Sequence, residues 1–234
     1  MKLLLSILMI GFALTGNAQH DGKTRVIPMV TRTIGISFQK FDGLNSRIAN
    51  LPQYKELRDY TGVLGLGWLK EHNRVVSTGN LMAGSSLSGD RDKRSSTIRY
   101  LGIDANIGYD VLAKESMMLY PLAGIGVQGY QAIFYKDNSA VAFNDVLTSP
   151  VIQNNIRSVR FTNAFVVYKL GLGFSLQSPK YPSNSIGLQA GYTGSFKRQD
   201  WKSNEYQTLS GAPDDKVSQF FVGVVLTSRP WHMK

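Results

Sequence analysis

The chain has 234 residues, no cysteine, 18% charged residues and a formal net charge of +10. That length is ordinary for one all-β barrel domain, and the missing cysteines exclude a disulfide framework, a thiolate zinc site and a lipid-modified cysteine. The basic excess is spread along the chain rather than gathered in a tract, so it points away from nucleic acid and toward anionic lipid headgroups.

Residues 1–18 combine Lys2, an apolar run from Leu3 to Leu14, and the small residues Gly16, Asn17 and Ala18. This is the pattern of a cleavable secretory signal, too short and wrongly flanked for a spanning anchor. A retained N-terminal helix is the alternative. Residues 19–30 are expected as a short segment before the domain, which runs from 31 to 228, and residues 229–234 as a C-terminal tail.

Within 31–228 eight runs carry strand periodicity, in which successive side chains take opposite faces. The first, 31–41, puts Ile34, Ile36 and Phe38 on one face, and the second, 60–70, does so with Leu64, Leu66 and Trp68. The third, 74–87, is mixed on both faces. The fourth, 97–112, contains YLGIDANIGYDV, where Leu101, Ile103 and Ile107 oppose Gly102, Asp104 and Asn106. The fifth, 116–135, has no charge and must be weighed as a membrane helix; Pro121, Gly124, Gly126, Gly129 and the alternation around Gln128 favour a strand. The sixth, 162–177, sets Leu170, Leu172 and Phe174 against Lys169. The seventh, 184–196, sets Ile186, Leu188, Ala190 and Tyr192 against Gln189 and Thr193, and the eighth, 218–228, carries Val222, Val224 and Leu226.

The connections alternate in length. Those at 71–73, 113–115 and 178–183 are short, and those at 42–59, 88–96, 136–161 and 197–217 are long, which places all long loops at one end. A soluble barrel would need Lys, Glu and Asp on its second face. Here that face is Gly, Ser, Thr, Asn and Gln, and charges collect in the connections. The apolar face is therefore expected to meet lipid through Leu101, Ile103, Ile107, Leu170, Leu172, Phe174, Val222, Val224 and Leu226. The other face lines an interior in which Asp104, Asn106, Lys169, Gln128 and Gln189 share a polar network. Asp104 and Lys169, both near mid-strand, are expected to pair, because a lone buried charge is costly. Trp68, Tyr109, Tyr120, Tyr192, Phe196 and Trp231 lie near strand ends, where aromatic girdles form.

The signal ending Asn17-Ala18-Gln19, the glycine-spaced strands GVLGLGWL, YKLGLGF and SIGLQAGYTGSF, and the four long loops resemble the small outer-membrane β-barrel proteins of the OmpA/OmpX type, in the versions common in Bacteroidota. The resemblance covers residues 31–228. It implies an all-β fold, an eight-stranded antiparallel up-and-down transmembrane barrel with four long outer loops and three short periplasmic turns, in a bacterial outer membrane. Such barrels often end on a terminal aromatic, whereas this chain continues into TSRPWHMK.

Candidates for catalysis are few. His20, His72 and His232 fall in the two tails and a periplasmic turn, away from the outer rim where lipid-deacylating and proteolytic barrels are expected to place a base. The acidic pairs Asp90 with Asp92 and Asp214 with Asp215 have Arg and Lys beside them and read as solvated loop rather than calcium site. No catalytic residue, metal or cofactor is expected. In the first loop Pro52 is expected to open a short helix. In the third, Val141, Phe143, Val146, Leu147, Val151 and Ile152 either cover one another, fold over the barrel mouth or dock on a partner.

The expectation is a monomeric, non-enzymatic barrel with a side-chain-filled lumen and an envelope structural or surface interaction role. Its partners would be outer-membrane lipids and an extracellular or envelope protein. The alternatives are a pore for small or apolar solutes, a lipid-modifying enzyme, a soluble lipocalin-like barrel, and ten strands should the third loop hide a hairpin.

Overall fold

The computed structural model describes residues 28–90, 93–114, 116–178 and 184–228. The expected signal peptide, His20, Asp92, Trp231, His232 and the tail at 229–234 lie outside them. The alternating runs form β1 (Met29–Gln39), β2 (Tyr60–His72), β3 (Val75–Gly89), β4 (Ser95–Tyr109), β5 (Met117–Tyr135), β6 (Val159–Gln177), β7 (Ser185–Ser195) and, last in the chain, β11 (Ser218–Ser228). Each pairs antiparallel with its neighbours, and β1 with β11 and β5 with β6 complete the ring. The result is a closed eight-stranded up-and-down barrel.

Closure fixes the geometry. From Phe174 in β6 the register passes through Leu188, Val224, Ile34, Leu64, Ala83, Leu101 and Gly129, and re-enters β6 at Ala164, ten residues away. With strands about 4.8 Å apart and a rise of about 3.3 Å per residue, that offset tilts them by about 40° to the axis.

The chain ends of the barrel, the β2–β3 and β4–β5 turns, and the facing ends of β6 and β7 at Gln177↔Ser185 share one rim. Between β2 and β3 the turn is Asn73-Arg74, with φ of 50° and 67°, immediately inside the pair His72↔Val75. Positive φ at both central residues is the hairpin geometry that matches strand twist. Between β4 and β5 the buried Asp110 carboxylate accepts from the backbone N–H groups of Leu112, Ala113 and Leu119 at 3.2, 3.0 and 3.0 Å.

At the opposite rim the strands run further than the sequence pattern suggests. The β3–β4 ladder continues to Gly89↔Ser95, so only residues 90–94 stand outside it rather than 88–96. The third loop forms two short helices, α2 (Phe143–Thr148) and α3 (Pro150–Asn155), not a strand hairpin, and the barrel keeps eight strands. The first loop holds α1 (Asp42–Ala49), well before Pro52, which instead follows the helix in a turn. The fourth loop contains the two-residue strands β8 (Gln199–Asp200), β9 (Lys202–Ser203) and β10 (Asp214–Asp215). There β10 pairs with β8, and β9 extends the β6 ladder through Thr162↔Lys202.

The recurrent glycines are seats for rings. Tyr100 lies across Gly84, and Tyr120 across Gly173, each glycine being the direct cross-strand partner of the tyrosine. A Cβ at either glycine would enter the ring's space, and cross-strand cover of a glycine by an aromatic is a recognised register device. Replacing Gly173 by valine should displace the Tyr120 ring and lower the stability of the folded barrel by about 1–3 kcal/mol, the usual cost of overpacking. A urea titration of the refolded protein checks this, and an unchanged midpoint would sink it.

Candidate functional site

Two side-chain arrangements stand apart from the wall ladder: a buried ion pair at mid-barrel, and a carboxylate that ties two outer loops together.

The pair joins β4 to β6 across the lumen. Lys169 Nζ lies 3.4 Å from Asp104 Oδ2, and both side chains are about nine-tenths buried. Asp104 Oδ1 accepts from Asn80 Nδ2 at 2.7 Å and from Asn106 Nδ2 at 2.6 Å, and Asn106 Nδ2 also faces Thr78 Oγ1 at 3.0 Å. The ammonium sits 4.6 Å from the centre of the Phe221 ring, a cation–π distance. Beside the pair is a cavity of about 40 Å³ lined by Ser37, Gln128, Gln189, Thr193 and Gln219 among others, large enough for ordered water.

Of the five expected network residues, Asp104, Asn106 and Lys169 meet. Gln128 accepts instead from Tyr130 Oη at 2.8 Å, and Gln189 donates to Tyr120 Oη at 3.2 Å. Asn80, Thr78 and Phe221 join the network without a signal in the sequence pattern. Asn80 and Thr78 lie on the run whose faces are mixed, so only the register shows which way they point.

The interior is also less polar than expected, because the polar belt lies between two apolar clusters. Toward the tight turns are Leu69, Val76, Met118, Tyr120 and Leu122, with Met29 against them. Toward the loops are Phe41, Leu44, Ile48, Tyr100, Tyr130, Phe134, Phe165 and Trp201 with further apolar neighbours. Tyr120, expected in a girdle, is thus an interior residue, 2% exposed. Of the other girdle candidates, Trp68, Tyr109 and Phe196 are exposed and Tyr192 is half-buried.

The second arrangement closes the loop end. Phe41 stands edge-on to Tyr130 and to Trp201, with ring centres 5.1 and 5.5 Å apart. Asp215 in β10 accepts from the N–H groups of Gly43 and Leu44 at 2.8 and 3.0 Å, and from Trp201 Nε1 at 2.7 Å. It thereby supplies the acceptor that the first turn of α1 lacks in its own sequence, since Phe41 gives no side-chain cap. Burial is the largest influence on the Asp215 carboxyl and pushes its pKa above 3.8, against the donors that act to lower it. Next to it, Arg198 holds Asp214 at 2.5 Å on the surface.

Other chemistry is sparse. Among the described residues no group of three or more His, Cys, Asp or Glu could hold a metal ion. His72 ends β2 at the tight-turn rim and is exposed.

The exterior completes the picture. Leu101, Ile103, Ile107, Leu170, Leu172, Val222, Val224 and Leu226 are exposed on the outer wall, and Phe174, on the same face, is half-buried. Arg32 also points outward, paired in register with Leu66 and Leu226. Fold and site together define a closed eight-stranded barrel with its apolar surface outside and its polar groups within.

No protein-family model matches the chain, and no curated protein does. Among solved structures it is similar in fold to Ail, the attachment invasion locus protein of Yersinia pestis, in complex with the heparin analogue sucrose octasulfate. That likeness has 17% identity and a TM-score of 0.47, and covers 86% of this chain and 99% of that one. It is likewise similar to Neisserial surface protein A, with 7% identity and a TM-score of 0.46, over 87% and 97% of the two chains.

Two outcomes follow from these geometries. Lys169→Met leaves Asp104 buried without its cation and should cost about 3–5 kcal/mol, much of which Lys169→Met with Asp104→Asn should restore. Urea midpoints of the two variants decide it, and a double variant no better than the single one would refute the coupling. For the loop latch, a carboxyl whose folded pKa is raised costs stability when ionised; the cost is full above the folded pKa and absent below the unfolded value of 3.8. With Trp68 and Trp231 replaced by Phe, the Trp201 emission should therefore stay blue as pH falls from neutral toward 3.8. In Asp215→Ala, which strands three donors, it should shift red at every pH.

Proposed function

We propose that the protein is a bacterial outer-membrane β-barrel with a closed lumen that serves as a surface interaction protein through its loops. The observation that carries the membrane reading is the exterior band: Ile34, Leu64, Leu66, Leu101, Ile107, Ile125, Leu170 and Leu172 are each more than half exposed. A continuous apolar belt of this kind far exceeds the patch a soluble monomer shows, while hydrocarbon requires it. On this reading Leu101, Ile103, Ile107, Leu170, Leu172, Phe174, Val222, Val224 and Leu226 face lipid, and Asp104, Asn106, Lys169, Gln128 and Gln189 face the lumen.

Aromatic placement supports the same orientation. Phe38, Tyr60, Phe220, Tyr192, Tyr168 and Phe196 occupy outward positions toward the loops, with ring centres 5.2 Å apart for Tyr192 and Phe220 and 5.3 Å for Tyr168 and Phe196. Trp68 and Tyr109 stand toward the tight turns. Aromatic rings at the two edges of the band are the usual interface anchors. Arg32 lies near the turn edge, where a long cationic side chain reaches headgroups at little cost.

The two apolar clusters and the ion pair between them favour a plugged interior over a pore. A binding role for the loops draws on the third, where α2 and α3 bury no residue and leave Phe143, Leu147 and Val151 exposed. An extracellular or envelope protein is the partner such a surface suits. In planar bilayers the purified protein should insert, resist urea extraction and give no unitary currents. Reproducible currents that change on altering Lys169 would overturn the plugged reading, and extraction by urea would overturn the membrane reading.

A further inference from the structure

The outer wall is not uniform around its loop edge. On β1, β2, β7 and β11 the band ends in aromatic rings, whereas on β6 it continues past Tyr168 through Val166 and Ala164 to Arg160. On β3, β4 and β5 the outward residues Ser85, Arg99 and Gln131 are direct partners in register, and the next outward row toward the loops is Leu87, Thr97 and Ile133. Arg99 is one outward position beyond Leu101, the last apolar residue of the band on β4, and is exposed.

Two more cations stand on the same arc. Arg160 is an exposed outward residue of β6, and Lys202 of β9, also exposed, pairs with the outward Thr162. The register runs Arg99↔Gln131↔Thr162, so Arg160 is two strands away and two residues higher. Strand spacing and rise then put the Arg99 and Arg160 Cα atoms about 12 Å apart. Arg160 Nε donates to Ser158 Oγ at 3.3 Å, which leaves its terminal nitrogens available to a ligand. Among the described residues none of the three cations is in an ion pair. No Asp or Glu occupies an outward position of β3, β4, β5 or β6.

Below the cations the wall is smooth. The register ladder Ala83, Leu101, Gly129, Ala164 presents small residues beside Leu101 and Val166, a shallow seat for an acyl chain. Cations above and an acyl seat below match one amphiphile rather than an acidic protein, since guanidinium binds phosphate oxygens in a fixed fork.

We propose that Arg99, Arg160 and Lys202 form a wall-side site for the phosphorylated headgroup of an outer-leaflet glycolipid, whose acyl chains lie along Leu101, Gly129 and Ala164. The site rests on the membrane reading above. It would fix the rotational setting of the barrel in its leaflet, with the third loop standing over the bound headgroup.

The test uses the full protein in phosphatidylcholine vesicles, exposed to diphosphoryl lipid A or to the same lipid without phosphates, and native mass spectrometry to count what stays bound. The protein should retain diphosphoryl lipid A in preference. Arg99→Ala with Arg160→Ala and Lys202→Ala should lower that retention by roughly tenfold to a hundredfold, given the contribution of each cation near a charged lipid surface. The same change should leave retention of the phosphate-free lipid unaltered. Equal retention of both lipids by the unaltered protein, or a triple variant that behaves like it, would overturn the site. Failure of the protein to insert into phosphatidylcholine alone would overturn the membrane reading instead, so the two are separable. All three residues are exposed, and heat-modifiable migration on a gel verifies that the variant is folded.

Discussion

On the membrane reading, a barrel wall set in hydrocarbon has no water with which to satisfy a strand edge, so every backbone N–H and C=O on it must find a partner in the next strand. Closure through β1–β11 and β5–β6 meets that requirement, and the rest of the molecule inherits its consequences. Eight strands with a ten-residue offset leave an interior only wide enough for side chains. Residues facing inward must therefore be small where a ring crosses and polar only where partners exist. The glycines under Tyr100 and Tyr120 answer the first demand, and the Asn80, Asn106 and Thr78 contacts around Asp104 answer the second.

The same narrowness explains why the polar groups cluster at mid-height. Packed apolar clusters lie on both sides of the Lys169–Asp104 pair along the lumen, and with both side chains about nine-tenths buried each charge depends on the other. A buried pair adds little net stability over an apolar filling, but losing one member is expensive. It acts as a register lock, because a one-residue slip of β6 would swing Lys169 to the outer wall and bring Leu170 inside.

Much of this is legible in a period of two. Alternation groups the outward residues of β4, β6 and β11 onto one face, the scarcity of charge on the other face puts them outside, and Asp104 and Lys169 then follow from parity within their strands. Alternation cannot rank the two faces of a strand that is apolar on both. Tyr120 and Leu119 are neighbours with opposite facing, and only the partner Gly173 shows that the tyrosine ring lies inside. The inward Tyr130, Phe134 and Phe165 escape sequence reading for the same reason. The first-loop helix escapes it because its stabilising acceptor is Asp215, more than 170 residues away in sequence. Pro52 offers a local start signal, but the distant carboxylate, together with burial of Leu44 and Ile48, outweighs it.

That long-range tie separates the loops into two kinds. The first and fourth are bound to the barrel mouth by Phe41, Leu44, Ile48, Trp201 and the Asp215 hydrogen bonds, so they belong to the loop-end apolar cluster rather than hang above it. The third shares none of these contacts, and its helices leave Phe143, Leu147 and Val151 exposed. A surface already packed against the barrel has little freedom to remodel around a partner, whereas an unpacked apolar hairpin on the two longest strands does. If the loops recognise another protein, adaptation therefore belongs to the third loop, while the first and fourth set the rigid floor beside it.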